Sequence, residues 1–237
     1  MMQAVRHPAL VRATHWITTL AFLALLVTGV EILISHPRFY WGETGNVNEQ
    51  PLLAIPIPTS RSTILNGYTI TLHDQNGWSR YLHFEAAWIV VITGLVYVAY
   101  GLSQGHFRRN VVPAAADLAP KALARESARH MRVWQPGNDD AWSYNALQRL
   151  AYSVVIFVLF PLIIWTGLDM SPGFTSVFPG AVTILGGRQS ARTLHFVVTV
   201  LLVAFVIVHI AMVWFAGFRA RVGSMITGRL SNTEERA

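Results

Sequence analysis

Long apolar stretches separated by polar connections dominate the pattern of this chain. Four of them are long enough to cross a bilayer as helices, which takes ~20 residues each. We predict membrane-spanning helices at about 13–35, 82–104, 146–168 and 192–216. The first stretch is longer than the apolar core of a signal peptide, and no small-x-small cleavage site occurs in the "ISHPRFYWGE" that follows. We therefore expect the first stretch to be retained as a span.

One polar connection carries a signal for strands. Within 36–81, the segment "STILNGYTITL" alternates apolar and polar residues around Asn66-Gly67, a dipeptide typical of a type I′ turn. A helical pattern rich in Ala, Arg and Lys occurs at about 117–130. The sequence therefore predicts a single all-α membrane domain over 1–237. We expect a bundle of four transmembrane helices with a small β-hairpin in one loop.

Composition agrees with a membrane protein. The chain is 53% hydrophobic and 13% charged, whereas a soluble domain has about 25% charged residues. It has no cysteine, which excludes disulfides, thiolate metal sites, iron–sulfur clusters held by this chain and covalent attachment of a c-type haem.

The net charge of +6 follows from where the basic residues lie. Thirteen of the 18 Lys and Arg residues lie in or beside the N-terminus, the connection 105–145, the start of the third stretch and the tail 217–237. The other five lie in or beside 36–81 and 169–191. Cytoplasmic loops are enriched in Lys and Arg, so this asymmetry predicts that both termini are cytoplasmic and that 36–81 and 169–191 are periplasmic. Nucleic acid is not needed as a partner to explain the charge.

Two histidines interrupt the last apolar stretch. His195 and His209 are fourteen residues apart. At 100° and ~1.5 Å per residue they share one helix face and lie ~21 Å apart along the axis. The predicted topology puts His195 near the outer surface and His209 toward the cytoplasm.

Two further histidines lie at matching depths on other stretches. His15 lies near the cytoplasmic start of the first stretch, and His83 near the outer start of the second. Depth therefore pairs His15 with His209, and His83 with His195. The remaining histidines fall in tails, loops or span ends: His7, His36, His73, His106 and His130.

Two imidazoles at each of two levels suit haem b. Neutral imidazole is an axial ligand of haem iron, and a flat apolar porphyrin fits between packed helices. Zinc would need three or four protein ligands around one point. The sequence thus predicts two haems b, an inner one on His15 and His209 and an outer one on His83 and His195.

Small residues and arginines accompany the histidines. Gly29 and Gly94 lie on the faces that carry His15 and His83, where a porphyrin edge could approach the backbone. Glycines in membrane helices also serve helix packing. Four arginines are candidates for pairing with haem propionates, although span-flanking arginines commonly anchor the interface: Arg80 and Arg192 at the outer haem, Arg12 or Arg149 at the inner one.

Several motifs point to a family: "RHPALVRATHW", "SHPRFYWGE", "GHFRRN", "LQRLAY", "TGLDMSPG", "GGRQSARTLHF" and "SMITGR". In these the chain resembles bacterial di-haem cytochrome b561-like membrane subunits, in particular thiosulfate reductase cytochrome b subunits. The H-x13-H spacing is similar to that of formate dehydrogenase and hydrogenase b subunits. The resemblance implies haem ligation by His15, His83, His195 and His209. Asp169 departs from the family pattern, in which an uncharged residue is expected.

The resemblance further implies a subunit of the bacterial inner membrane that exchanges electrons with ubiquinone or menaquinone. Its partner would be a periplasmic molybdopterin oxidoreductase or another redox protein. We expect docking at 36–81 and 169–191, and no acid–base catalytic residues. Candidate quinone-binding residues are Gln148, Arg149 and Tyr152, with Arg12, on the inner side, and Gln189, with Arg188 and Arg192, on the outer side. The inner set is favoured, because a periplasmic partner would occupy the outer haem.

Two other functions remain open from sequence alone. The first is a stand-alone superoxide:ubiquinone oxidoreductase, which the long outer connections disfavour because a small diffusible donor needs no docking platform. The second is a haem-free proton-linked transporter that uses intramembrane histidines as proton relays.

Overall fold

The computed structural model describes residues 7–45, 48–56, 76–114, 118–121, 124 and 146–229. Within this part of the chain, four helices are long and apolar enough to cross a membrane. They are α1 (Ala9–Ser35), α2 (Asn76–Ser103), α3 (Ala146–Asp169) and α6 (Arg188–Phe215). The mostly helical architecture with four membrane-length helices confirms this part of the predicted fold.

Three of these helices begin earlier than hydropathy indicates. α1 begins at Ala9, directly after Pro8, whose carbonyl accepts a hydrogen bond from the Arg12 amide at 3.1 Å. α2 begins at Asn76 and α6 at Arg188, both in polar sequence. The backbone hydrogen bonds of a helix extend into these polar residues, whereas hydropathy detects only the apolar part of the helix, which suits lipid.

A π-helical turn at Val155–Leu159 interrupts α3. The Phe160 amide donates to the Val155 carbonyl, five residues earlier. Pro161 follows, and it has no N–H to donate to a carbonyl four residues earlier. The wider turn is therefore a local accommodation of proline within a continuous helix.

Short elements connect the long helices. Strands β1 (Arg38–Phe39) and β2 (Leu53–Ala54) pair antiparallel, with Arg38 opposite Ala54. Two residues per strand are too few to show an alternating pattern, and this pairing was not predicted. The predicted hairpin at Asn66-Gly67 and most of the helical pattern at 117–130 lie outside the described residues.

Three short helices flank α6. Helices α4 (Pro172–Val177) and α5 (Pro179–Ile184) precede it, and each begins with proline, whose fixed φ suits a first helical position. Helix α7 (Phe218–Thr227) follows it and ends at Gly228, which has φ of 82°.

The distribution of apolar and polar side chains between surface and interior is the reverse of that in a soluble protein. Leu20, Leu95 and Ile207, on three of the long helices, are 67, 65 and 64% exposed. Thr28 and Thr166, by contrast, are fully buried. Small polar residues between helices and large apolar residues outside are typical of helices surrounded by lipid.

The chain divides into two compact units. The first unit comprises Met1–Trp16, Gly94–Pro161 and Leu201–Ala237, and the second comprises Ile17–Thr93 and Leu162–Val200. Each unit contains one part of every membrane-length helix. His15 and His209 belong to the first unit, and His83 and His195 to the second.

Two candidate histidine sites

The second unit brings His83 of α2 and His195 of α6 together. Their ring centroids are 6.3 Å apart and the rings are tilted by 57°. We call this arrangement the 83/195 pair.

A buried threonine holds each ring of the 83/195 pair. Thr28 Oγ1 of α1 lies 2.9 Å from His83 Nδ1 and 2.7 Å from the Ala24 carbonyl. Thr166 Oγ1 of α3 lies 3.0 Å from His195 Nδ1 and 2.8 Å from the Leu162 carbonyl. A hydroxyl has one proton, and a threonine in a helix donates it to a carbonyl of its own helix; in the Nδ1–H tautomer each hydroxyl therefore accepts from the ring. Each Nε2 is then left with its lone pair available for a metal.

A glycine follows each of these threonines and lies against the same ring. A Cβ built on Gly29 would be 3.7 Å from His83 Cε1, and one on Gly167 would be 3.4 Å from His195 Cε1. Sequence reasoning selected Gly29 for contact with a porphyrin edge and missed Gly167 and both threonines. Thr-Gly also occurs at 44–45, 93–94 and 227–228, so the dipeptide becomes informative only when the facing helix is known.

The first unit brings His15 of α1 and His209 of α6 together. Their centroids are 6.4 Å apart, with a tilt of 55°. We call this arrangement the 15/209 pair. The His209 ring stacks on Phe205 at 5.7 Å and 18°, and Tyr152 meets it edge-on at 6.2 Å. Tyr152, a predicted quinone residue, therefore lies beside a predicted haem ligand.

The spacing within both pairs suits an iron between two imidazoles. With each nitrogen ~2 Å from the metal and ~1.1 Å from its ring centre, facing rings would be ~6.2 Å apart. A direct hydrogen bond of ~3 Å between facing nitrogens would bring the centres to ~5 Å. No group of three or more metal-ligating side chains occurs among the described residues. Two protein ligands at each place fit a metal whose other ligands come from a macrocycle.

The predicted propionate arginines of the first unit bind backbone carbonyls. Arg12 donates to the Ile226 carbonyl of α7, and neighbouring Trp16 donates to the Met225 carbonyl at 3.0 Å. Arg12, Trp16 and α7 residues also line a cavity of about 420 Å³. Arg149 donates to the carbonyl of Val112 and, at 3.2 Å, to that of Arg109. Both arginines thus hold chain segments in place.

The remaining residues that were predicted to contact haem or quinone lie at separate places in the structure. Arg80 is exposed on α2. A Cβ on Gly94 would meet no atom within 4 Å. Gln148 is half-buried at the start of α3. The Gln189 Oε1 atom is buried and has no hydrogen-bond partner among the described residues.

Residues before β1 and after it are tied to the start of α6. Arg192 donates to the His36 carbonyl and lies 5.2 Å over the Phe39 ring. Thr193 Oγ1 donates to the Tyr40 carbonyl at 2.7 Å. These bonds fix the segment of α6 that carries His195, and they escaped sequence reasoning because they join segments about 150 residues apart.

The same connection caps the N-terminus of α6. The Gly42 carbonyl accepts from the amides of Gln189 at 3.0 Å and Ser190 at 3.3 Å, while Ser190 Oγ accepts from the Gly42 amide at 2.8 Å. Glu43 Oε2 accepts from the Arg188 amide at 3.1 Å. A carboxylate at this place also suits the partial positive charge of a helix N-terminus.

A fifth histidine lies in an aromatic cluster of the first unit. His106 is 5.9 Å from Tyr97 and 6.1 Å from Tyr100 by ring centroids. Burial, and then the charge of Arg109, lower the pKa of His106, so it is neutral near pH 7. The Asn110 amide, 3.1 Å from His106 Nδ1, donates to it and leaves the proton on Nε2. His106 belongs to neither pair.

Two comparisons with known proteins found a match over most of the chain. The family model described as prokaryotic cytochrome b561 matches residues 6–228. A putative protein-methionine-sulfoxide reductase subunit, YedZ1, from Azospira oryzae is 28% identical over 212 residues, which cover 87% of this chain and 89% of that protein. No solved structure matches the chain.

Proposed function

The chain belongs to the prokaryotic cytochrome b561 family, and from this premise we propose that it binds two haems b and carries electrons between the quinone pool and a redox partner. Membership in the family makes it a multi-pass, haem-binding membrane subunit for electron transfer. The number of haems, their ligands and the partners belong to the proposal.

The observation that carries the proposal is the presence of two histidine pairs with the same ring spacing, 6.4 and 6.3 Å. We assign His15 and His209 to one haem iron and His83 and His195 to the other. Bound haem supplies a reversible one-electron change at iron. The two imidazoles of each pair would hold the haem iron and would leave it no position for a further ligand. The long apolar helices that carry the pairs would limit the access of water.

The core test measures haem in the purified, detergent-solubilised protein. We expect a pyridine haemochrome assay to give two haems b per chain, with a low-spin spectrum because both axial positions are filled. One haem per chain would contradict the assignment. The family's haem binding offers no support for a haem-free transporter.

We propose that the partner is a periplasmic oxidoreductase. The sequence motifs favour a molybdopterin enzyme, and the name of the YedZ1 relative describes a reductase of protein methionine sulfoxide. The distribution of Lys and Arg supports an inner-membrane protein with both termini in the cytoplasm. Electrons from quinol would then leave on the periplasmic side, where such a reductase would consume them.

For quinone we propose a site beside the 15/209 pair. Tyr152 lies 6.2 Å from the His209 ring by centroids, and Gln148 lies one helical turn before Tyr152 on α3. A phenol and an amide could each donate a hydrogen bond to a quinone carbonyl. The rival position uses Gln189 of α6, whose buried Oε1 could accept from a quinol hydroxyl.

Substitution of each glutamine distinguishes between the two proposed quinone sites. We expect Gln148→Ala to slow quinol-driven haem reduction about tenfold, because one hydrogen bond to the quinol is lost. Gln189→Ala and the control Gln104→Ala, at an exposed glutamine, should leave the rate unchanged. Stopped-flow absorbance of the haem band measures the rate. A slow Gln189→Ala protein would move the site to α6, and unchanged rates in all three would remove both positions.

A further inference from the structure

The two histidines of the 83/195 pair have equivalent supports from different helices. Thr28-Gly29 of α1 supports His83 of α2, and Thr166-Gly167 supports His195. In each case the threonine hydroxyl meets Nδ1 and the glycine lies beside Cε1. The second unit therefore contains the same Thr-Gly contact with a histidine ring twice.

We propose that Thr28 and Thr166 are positioning residues that set the redox potential of the haem held by the 83/195 pair. This inference rests on the proposed function, because it takes His83 and His195 as axial ligands. The threonines touch neither iron nor porphyrin in this account. They act through the imidazole rings.

The direction of the effect follows from the hydrogen-bond roles. Each hydroxyl donates to a carbonyl four residues earlier in its own helix, at 2.7 Å for Thr28 and 2.8 Å for Thr166. It therefore accepts from Nδ1–H, which makes the opposite nitrogen a stronger electron donor and fixes the ring orientation. A stronger donor stabilises ferric iron. The threonines should thus lower the midpoint potential of this haem.

Burial makes the interaction strong and hard to replace. Both threonines are 0% exposed, so water cannot substitute for a missing hydroxyl. Valine has nearly the same shape as threonine but accepts no hydrogen bond, so each ring would keep only its backbone hydrogen bond, to Leu25 for His83 and to Ile163 for His195. The ring would then be held by that backbone contact and by packing.

Packing alone is the competing explanation. Threonines in membrane helices commonly donate to carbonyls of their own helix, and these two also make that bond. The position of both hydroxyls within 3.0 Å of an imidazole nitrogen distinguishes them. Thr199 provides a matched control, because its hydroxyl donates to the His195 backbone carbonyl at 2.8 Å.

The other pair provides an internal reference. The His209 ring is stacked on Phe205 and met by Tyr152, so aromatic side chains surround it. Loss of the Thr28 or Thr166 hydroxyl should therefore shift the midpoint potential of the haem at the 83/195 pair and leave that of the other haem unchanged. Two potentials measured in one sample give the effect and its control together.

The test is a spectroelectrochemical titration of purified two-haem protein carrying Thr28→Val, Thr166→Val or both. We expect one midpoint potential to rise, with roughly a fivefold change in the reduction equilibrium constant per threonine, a factor typical of one hydrogen bond. In the double variant, the change in this equilibrium constant should approach the product of the two single changes. The low-spin electron paramagnetic resonance signal of the same haem should change, because its ligand rings are reoriented. Thr28→Ser and Thr166→Ser should restore the wild-type potential, and Thr199→Val should not alter it.

Four results bear on the proposal in different ways. Unchanged potentials in valine variants that keep both haems would overturn it, as would an equal shift of both haems. Loss of one haem in a valine variant, restored by serine, would support the positioning role. Wild-type protein without two haems would instead contradict the proposed function itself.

Discussion

Replacement of His195 by alanine is expected to halve the haem content, from two haems per chain to one. The change removes one of two protein ligands from the 83/195 pair and leaves the rings of the 15/209 pair untouched. A pyridine haemochrome assay on purified protein measures the content. His209→Ala should likewise lose one haem, but the spectrum of the remaining haem should differ, because the other pair is retained.

Double variants test the pairing itself. Because His83 and His195 are assigned to one iron, His83→Ala combined with His195→Ala should lose no more haem than either change alone. His15→Ala combined with His195→Ala should lose both haems. His106→Ala is the control and should keep both, since His106 lies in neither pair. Full haem content in any of the four single variants of the pairs would refute the ligand assignment.

Alanine at Gly187 is expected to be among the most destabilising single changes in the second unit. Gly187 has φ of 110°, where a residue with a Cβ is strained. Its added Cβ would lie 2.5 Å from the Gly42 carbonyl carbon and oxygen and 2.6 Å from the Glu43 amide nitrogen. Those are backbone atoms held by the cap on α6, so they cannot move aside as a flexible side chain could. We expect a loss of at least about 2 kcal/mol in stability.

Thermal unfolding followed by size-exclusion chromatography in detergent measures this loss. Gly180→Ala is the matched control, because a Cβ there meets no atom within 4 Å. The haem assigned to His195 should be lost first in Gly187→Ala, since the displaced cap begins the helix that carries this histidine. Equal melting temperatures for the two alanine variants would contradict this prediction, because they would show that the segment with Gly42 and Glu43 moves away from the added Cβ with no loss of stability.

Helical periodicity explains how far the site could be predicted. The helices are long and apolar, so the spacing of His195 and His209 indicates a shared face, and depth selects His15 and His83 as partners. The structure brings together the same two pairs, while their role as haem ligands stays a prediction. Hydropathy likewise located four helices of membrane length, because apolar residues must cover a fixed thickness of lipid.

Features that depend on helix rotation or on distant backbone atoms were not predictable. Thr28 and Thr166 resemble any small polar residue in a membrane helix until the facing histidine is known. The cap on α6 uses the Gly42 carbonyl, and every residue has a carbonyl. The π-helical turn had a signal in Pro161, but proline can also kink or end a helix.

Helix α7 illustrates how such contacts shape the variation that the chain can tolerate. Arg12 and Trp16 hold the end of α7 through the carbonyls of Ile226 and Met225, and any amino acid at those two positions offers the same acceptor. These two hydrogen bonds therefore set no requirement on the side chains at 225 and 226. The constraint falls on Arg12, Trp16 and Gly228, where an added Cβ would lie 3.1 Å from the Arg12 guanidinium carbon.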